Sequence, residues 1–166
     1  MKRFNLTITL VCLAMAGAQM EVANAEDTKM VTLTESELKW VDVVLPGSDI
    51  PVLEKGAKVA VLQGVPGGSG PVVLRIKMPP NFTIAPHWHS SDEVVTVLLG
   101  TIYAGMGDIV DKEKSLAFPT GGFVVMPAKH HHFAWTKDET IIEIHAQNPF
   151  DIFYVNSADD PRKRKN

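Results

Sequence analysis

In the stretch APHWHSSDEVVTVLLGT, residues 85–101, two histidines stand one residue apart and a glutamate follows four positions after the second. Imidazole nitrogen and carboxylate oxygen are donors that hold Fe, Mn, Ni, Co or Zn. On an extended segment His87 and His89 point the same way. Pro86 argues against a helix, in which positions two apart would fall on nearly opposite faces. Glu93 has the same parity, yet six residues of extended chain cover roughly 20 Å. Ligand bonds are about 2 Å long, so the three side chains share one ion only if Ser90-Ser91-Asp92 turns the chain back. Serine and aspartate suit such a turn. A second cluster, MPAKHHHFAW, carries His130, His131 and His132 behind a proline. Taken singly, any of these imidazoles reads as an exposed loop residue. Taken together, two alternating histidines, a spaced glutamate and a distant histidine read as a site for one divalent metal ion.

Cysteine use narrows the donor set. Lys2 and Arg3 precede an apolar run over residues 6–18, and Ala23-Asn24-Ala25 is a small-x-small site, so residues 1–25 are expected to be a secretory signal peptide. The single cysteine, Cys12, lies in that leader. The expected mature domain, residues 26–166, therefore forms no disulfide and holds any metal by His, Asp, Glu or backbone oxygen. An exported chain, periplasmic or secreted, must then rest on its apolar core alone. No later apolar run is long enough to span a bilayer, so no membrane association is expected after cleavage. The net charge of −3 argues against a nucleic-acid partner. The basic tail, residues 162–165, reads as a solvated terminus.

The elements that must position these donors are strands. Short β-branched or aromatic runs recur at residues 59–62, 72–77, 94–99, 101–106, 123–126, 133–136, 141–146 and 152–155. Turn residues bound most of them, as in PGGSGP at 66–71 and PPN at 79–81. LKWVDV, residues 38–43, reads as an edge strand, and residues 111–115 as one helical turn. The spacing predicts a single all-β domain, a sandwich or barrel. Gly100 sits where a tight hairpin needs a permissive backbone, which predicts that the strand headed by Glu93 pairs antiparallel with the one from Thr101. By the two-residue period, Glu93, Val95, Val97 and Leu99 share a face. A carboxylate at the head of an apolar face is costly unless it is paired or binds a metal.

PHWHSSDEVVTVLLG resembles the first motif of the cupin family, with His87, His89, Glu93 and Gly100 at the family's spacing. GGFVVMPAKHHH resembles the second, with Gly121, Pro127 and His132 in place. Three positions depart from the pattern: Asn81 and Lys129 stand where the family has glycines, and Thr136 where it often has asparagine. The resemblance covers residues 59–155. It implies a small jelly-roll barrel with a divalent metal held by His87, His89, Glu93 and His132. More loosely, HFAWT, QNPFDIFYVN and DDPRK are similar to single-domain cupins of the anti-sigma-factor ChrR-like kind.

His130 and His131 read either as pocket residues or as exposed loop imidazoles. In IIEIHA, residues 141–146, Glu143 and His145 share one strand face, and the period leaves open whether that face looks into the cavity or to solvent. Trp88 alternates with the ligands and is expected to point away from them. Four protein ligands on a six-coordinate ion leave about two positions open. The function expected first is a metal-dependent oxidoreductase, a dioxygenase acting on a small oxygen-bearing molecule, with Val95 and Val97 lining a dry pocket. The alternatives are a non-catalytic module that binds or senses a small ligand, or a metal-dependent isomerase or decarboxylase. Edge strands of such a barrel make a homodimer the expected assembly.

Overall fold

The computed structural model describes residues 30–45 and 47–164. The expected signal peptide, residues 1–25, lies outside the described residues. From Leu33 onward the chain is built of strands, because its β-branched and aromatic runs alternate with turn residues. In chain order these are β1 (Val41–Asp42), β2 (Lys58–Gln63), β3 (Pro71–Met78), β4 (Thr83–Trp88), β5 (Glu93–Leu99), β6 (Thr101–Met106), β7 (Leu116–Pro119), β8 (Phe123–Met126), β9 (His132–Thr136), β10 (Thr140–Gln147) and β11 (Phe153–Tyr154). Two antiparallel sheets result, ordered β1-β2-β3-β10-β5-β8 and β11-β4-β9-β6-β7. As the sequence predicts, the architecture is a small all-β double-sheet barrel.

The core lies between the sheets and follows the two-residue period. On β3, Val72, Leu74, Ile76 and Met78 are buried; on β10 the partners of the first three are Ala146, Ile144 and Ile142. Val95 and Val97 of β5, Ile102 and Ala104 of β6 and Ala134 of β9 complete it. LKWVDV contributes β1, the expected edge strand. Residues 112–114 form a hydrogen-bonded turn rather than a helical one, with the Asp111 carboxylate accepting from the amides of Glu113 and Lys114 at 3.2 Å.

Two predictions about β5 are corrected. β5 and β6 do not form a hairpin: β5 pairs with β10 and β8, whereas β6 pairs with β9 and β7 in the other sheet. The single residue between them is too short for a two-residue hairpin loop, and Gly100 instead passes the chain from one sheet to the other. It does so at φ +75°, where a Cβ would lie 2.4 Å from the Glu139 carbonyl oxygen. Leu99 does not share the inner face. A bulge pairs Leu99 with Ile141 but Val97 with Ile142, which shifts parity and leaves Leu99 46% exposed. β4 and β7 are strands that the hydrophobic pattern does not announce, since Pro86 and the polar His87 interrupt the first and Pro119 ends the second.

Candidate metal centre

The centre draws on both sheets. His87 on β4 lies directly opposite His132 on β9. His89 follows the end of β4, and Glu93 opens β5 in the other sheet. All four are buried, at 3%, 5%, 8% and 2% exposure for His87, His89, Glu93 and His132. One ligand atom from each lies within 4.8 Å of the other three. A bulge between Ile84 and His87 puts both side chains inward although they are three positions apart.

The turn that returns Glu93 to the histidines is pinned from two directions. The Asp151 carboxylate accepts from the Ser90 amide at 2.9 Å and from the Ser90 hydroxyl at 2.8 Å. The Ser91 hydroxyl donates to the Gln147 carbonyl at 2.7 Å. From the other side, the Ala128 amide donates to the Asp92 carboxylate, and the Lys129 amide to the His89 carbonyl, both at 2.8 Å. Lys129 makes that contact at φ +62°, and Asn81 sits at φ +58°. Both positions where the family has glycine thus keep the left-handed backbone. Thr136 latches the Asn81 turn: its hydroxyl donates to the Pro79 carbonyl at 2.8 Å and accepts from the Phe82 amide at 3.1 Å.

Each imidazole is aimed by the backbone. The Nδ1 atoms of His87 and His132 reach the carbonyls of Ala85 at 2.7 Å and His130 at 3.0 Å, and that of His89 reaches the Asp151 carbonyl. A carbonyl only accepts, so each Nδ1 carries a proton and, in the neutral ring, each Nε2 presents a lone pair. The Nε2 atoms of His89 and His132 are buried without a hydrogen-bond partner. They lie 3.6 and 3.4 Å from the Glu93 Oε2. Acceptors facing acceptors in a buried space are unfavourable. A divalent cation among them satisfies all four, so the donor set fits a single metal ion.

The electrostatics agree. Burial pushes the His87 pKa down to about 3, helped by the neighbouring His132 and His89, so this imidazole is neutral and ready to ligate. Burial also opposes the charged form of His89, but the Glu93 carboxylate and the Asp151 carbonyl outweigh it and hold its pKa above the ordinary value. For Glu93, burial favours the neutral acid, yet the neighbouring imidazoles of His132 and His89 hold its carboxyl well below the usual range.

Behind the centre lies a cavity of about 30 Å³. Its walls include Ile84, Val95, Ile102, Val124, Met126 and Ile142, with His87, Glu93 and His132 at its polar end. Val95 lines it as expected; Val97 is buried in the core without lining it.

Glu143 and His145 do not reach the cavity. Ile142, Ile144 and Ala146 take the inner face of β10, so the period sends Glu143 and His145 to the outer face. There Glu143 bonds Arg75 at 2.9 Å and His145 at 3.0 Å, and His145 is half-exposed. His130 and His131 are outside the centre, with the Nδ1 of His131 2.6 Å from the Asp108 carboxylate. Trp88 points away, stacked on Phe153 at 4.2 Å. Sequence reasoning missed the segment that backs the ligands: Phe150 stacks on His89 at 4.7 Å, Asp151 holds His89 and Ser90, and Tyr154 pairs with His87 across the sheet. Spacing offered no sign of them, because they approach from a distant part of the chain.

Two antiparallel sheets closed around a buried set of three imidazoles and one carboxylate define a small β-barrel with a metal-type centre. The chain belongs to the cupin family, whose model matches residues 57–157. No curated protein sequence matches it. Among solved structures it is similar to the polyketide cyclase RemF from Streptomyces resistomycificus, at 19% identity and a TM-score of 0.64 over 81% of this chain and 92% of that one. It is also similar to an RmlC-like cupin protein from Ralstonia eutropha, at 16% identity and a TM-score of 0.55 over 78% of this chain and 74% of that one. A third is the oxalate decarboxylase of Lactobacillus farciminis, at 16% identity and a TM-score of 0.53 over 74% of this chain and 35% of that one. At these identities the likeness is one of fold.

Proposed function

We propose that the chain is an exported metal-dependent oxidoreductase of the dioxygenase type, acting on a small oxygen-bearing organic molecule. The observation that carries this reading is three imidazoles with aimed Nε2 lone pairs and one buried carboxylate beside an apolar cavity. A divalent Fe, Mn, Ni or Co ion bound there would offer Lewis acidity and open positions for a substrate oxygen and for dioxygen. His87, His89 and His132 contribute neutral nitrogen donors, and Glu93 contributes the one negative charge. Ile84, Val95, Val124 and Ile142 exclude water and offer no proton donor. Among the described residues, the cavity wall holds no serine, cysteine, lysine or arginine, so the centre itself is the only chemistry a bound molecule meets. Oxygen-electrode assays of Fe-, Mn- and Ni-loaded protein with diketones, phenols and flavonols test this. Uptake with one class supports it, and no uptake with any contradicts it.

The cavity's size favours a second reading. About 30 Å³ holds about one water, so a diketone enters only if the walls move. A non-catalytic module that captures a small ligand, or uses the ion for folding alone, needs no such motion. The similarity of HFAWT, QNPFDIFYVN and DDPRK to ChrR-like cupins supports the same reading. Under it, His87→Ala lowers the melting temperature strongly although the wild type turns over nothing. A metal-depleted protein that keeps its stability and its ligand affinity contradicts it.

Export rests on the leader-like residues 1–25; a mature protein beginning at Glu26 in an extracytoplasmic fraction supports it. A homodimer is supported by the β8 edge, whose residues Phe123–Met126 carry no charge and leave Phe123 59% and Val125 42% exposed. Light scattering that shows a monomer rejects it.

A further inference from the structure

Asp151 touches the centre in two independent ways. Its main-chain oxygen accepts from the Nδ1 of His89. Its carboxylate takes both donors of Ser90, the residue immediately after that ligand. The turn it grips is the one that must fold for Glu93 to lie near His89, whose Nε2 is 3.6 Å from the Glu93 Oε2. Among the described residues, the Asp151 carboxylate has no lysine or arginine partner, so its hydrogen bonds go to this turn. The preceding Phe150 stacks on the His89 ring, which fixes the plane that the Nδ1 bond aims.

We propose that Asp151 is a positioning residue of the metal centre, orienting His89 through its main chain and the His89-to-Glu93 turn through its carboxylate. The inference rests on the metal reading above. A carboxylate or carbonyl that orients a metal-binding histidine is commonly worth about 10- to 100-fold in metal affinity. Asparagine at position 151 keeps an oxygen for the Ser90 amide, whereas alanine keeps neither side-chain contact.

The test is Co(II) affinity, by competition with a chromophoric chelator at neutral pH, together with the visible Co(II) spectrum and the melting temperature of metal-free protein. Asp151→Ala should bind Co(II) about 10- to 100-fold more weakly with an altered spectrum. Asp151→Asn should recover a measurable part of the loss. Should Asp151→Ala fail to fold, Ser90→Ala serves instead, with a smaller loss of affinity and the same direction of spectral change. Variants that melt earlier yet bind Co(II) with wild-type affinity and spectrum overturn the positioning role and leave the metal reading standing. Wild-type protein that binds no Co(II) overturns both.

Discussion

Among the described residues, glutamate meets histidine in two groupings, and they differ in almost everything except residue type. In the centre, Glu93 faces His89 and His132 at 3.4–3.6 Å, all of them buried. On the outer face of β10, Glu143 bonds His145 and Arg75 at 3.0 and 2.9 Å, with His145 half-exposed. The outer carboxylate is paired with a guanidinium and hydrogen-bonded to His145. Among the described residues no guanidinium reaches the centre, the backbone holds every Nδ1, and two Nε2 atoms are left facing a carboxylate. A metal-type site is thus made by burial and a backbone-enforced tautomer, not by the residues alone.

The largest contrast expected is in metal affinity. Glu93→Ala or His132→Ala should lose more than the roughly 100-fold that orienting residues cost. Glu143→Ala and His145→Ala should leave affinity within about twofold, which a chelator competition reads directly. Equal losses at both groupings would erase the distinction. Next comes stability. Saturating the centre at about 1,000 times its dissociation constant should add about 4 kcal/mol, seen as a higher melting temperature that a chelator reverses in wild type but not in Glu93→Ala.

Protons sharpen the comparison. His89 carries a raised pKa in the metal-free protein, so it binds a proton above the ordinary imidazole value of 6.5. A metal must displace that proton, so affinity should fall as pH drops through this range, by about tenfold per unit for one proton displaced. His87, with its pKa pushed down to about 3, adds no competing proton near neutrality. Affinity that is flat between pH 8 and 5.5 would contradict this. The smallest effect is expected at the outer grouping, where Glu143→Gln should cost no more than about 1 kcal/mol in denaturant unfolding.

Much of the centre is legible in the chain because its ligands follow local spacing. His87 and His89 share a side, and the arithmetic of extended chain demands the turn at Ser90-Ser91-Asp92. What holds that turn is not legible, since Asp151, Gln147 and Ala128 arrive from elsewhere in the sequence. Sequence alone leaves the faces of β10 open, because Ile142, Ile144 and Ala146 alternate with groups that suit either a cavity or solvent, and only tertiary packing chooses. Gly100 misled because a permissive backbone serves a hairpin and a sheet-to-sheet corner equally well. Leu99 was lost to a bulge, which no periodicity reveals. The departures at Asn81 and Lys129 keep the backbone conformation the glycines would have had. Lysine is strained there, so Lys129→Gly should stabilise the fold by up to about 1 kcal/mol, read by denaturant unfolding.

The central claim is that His87, His89, Glu93 and His132 hold one divalent ion. Elemental analysis of protein purified from its native compartment, beside a Glu93→Ala variant, tests it most directly. The account predicts about one divalent ion per chain in the wild type and a large deficit in the variant. Wild-type protein free of bound metal, or a variant that retains the full complement, would contradict it.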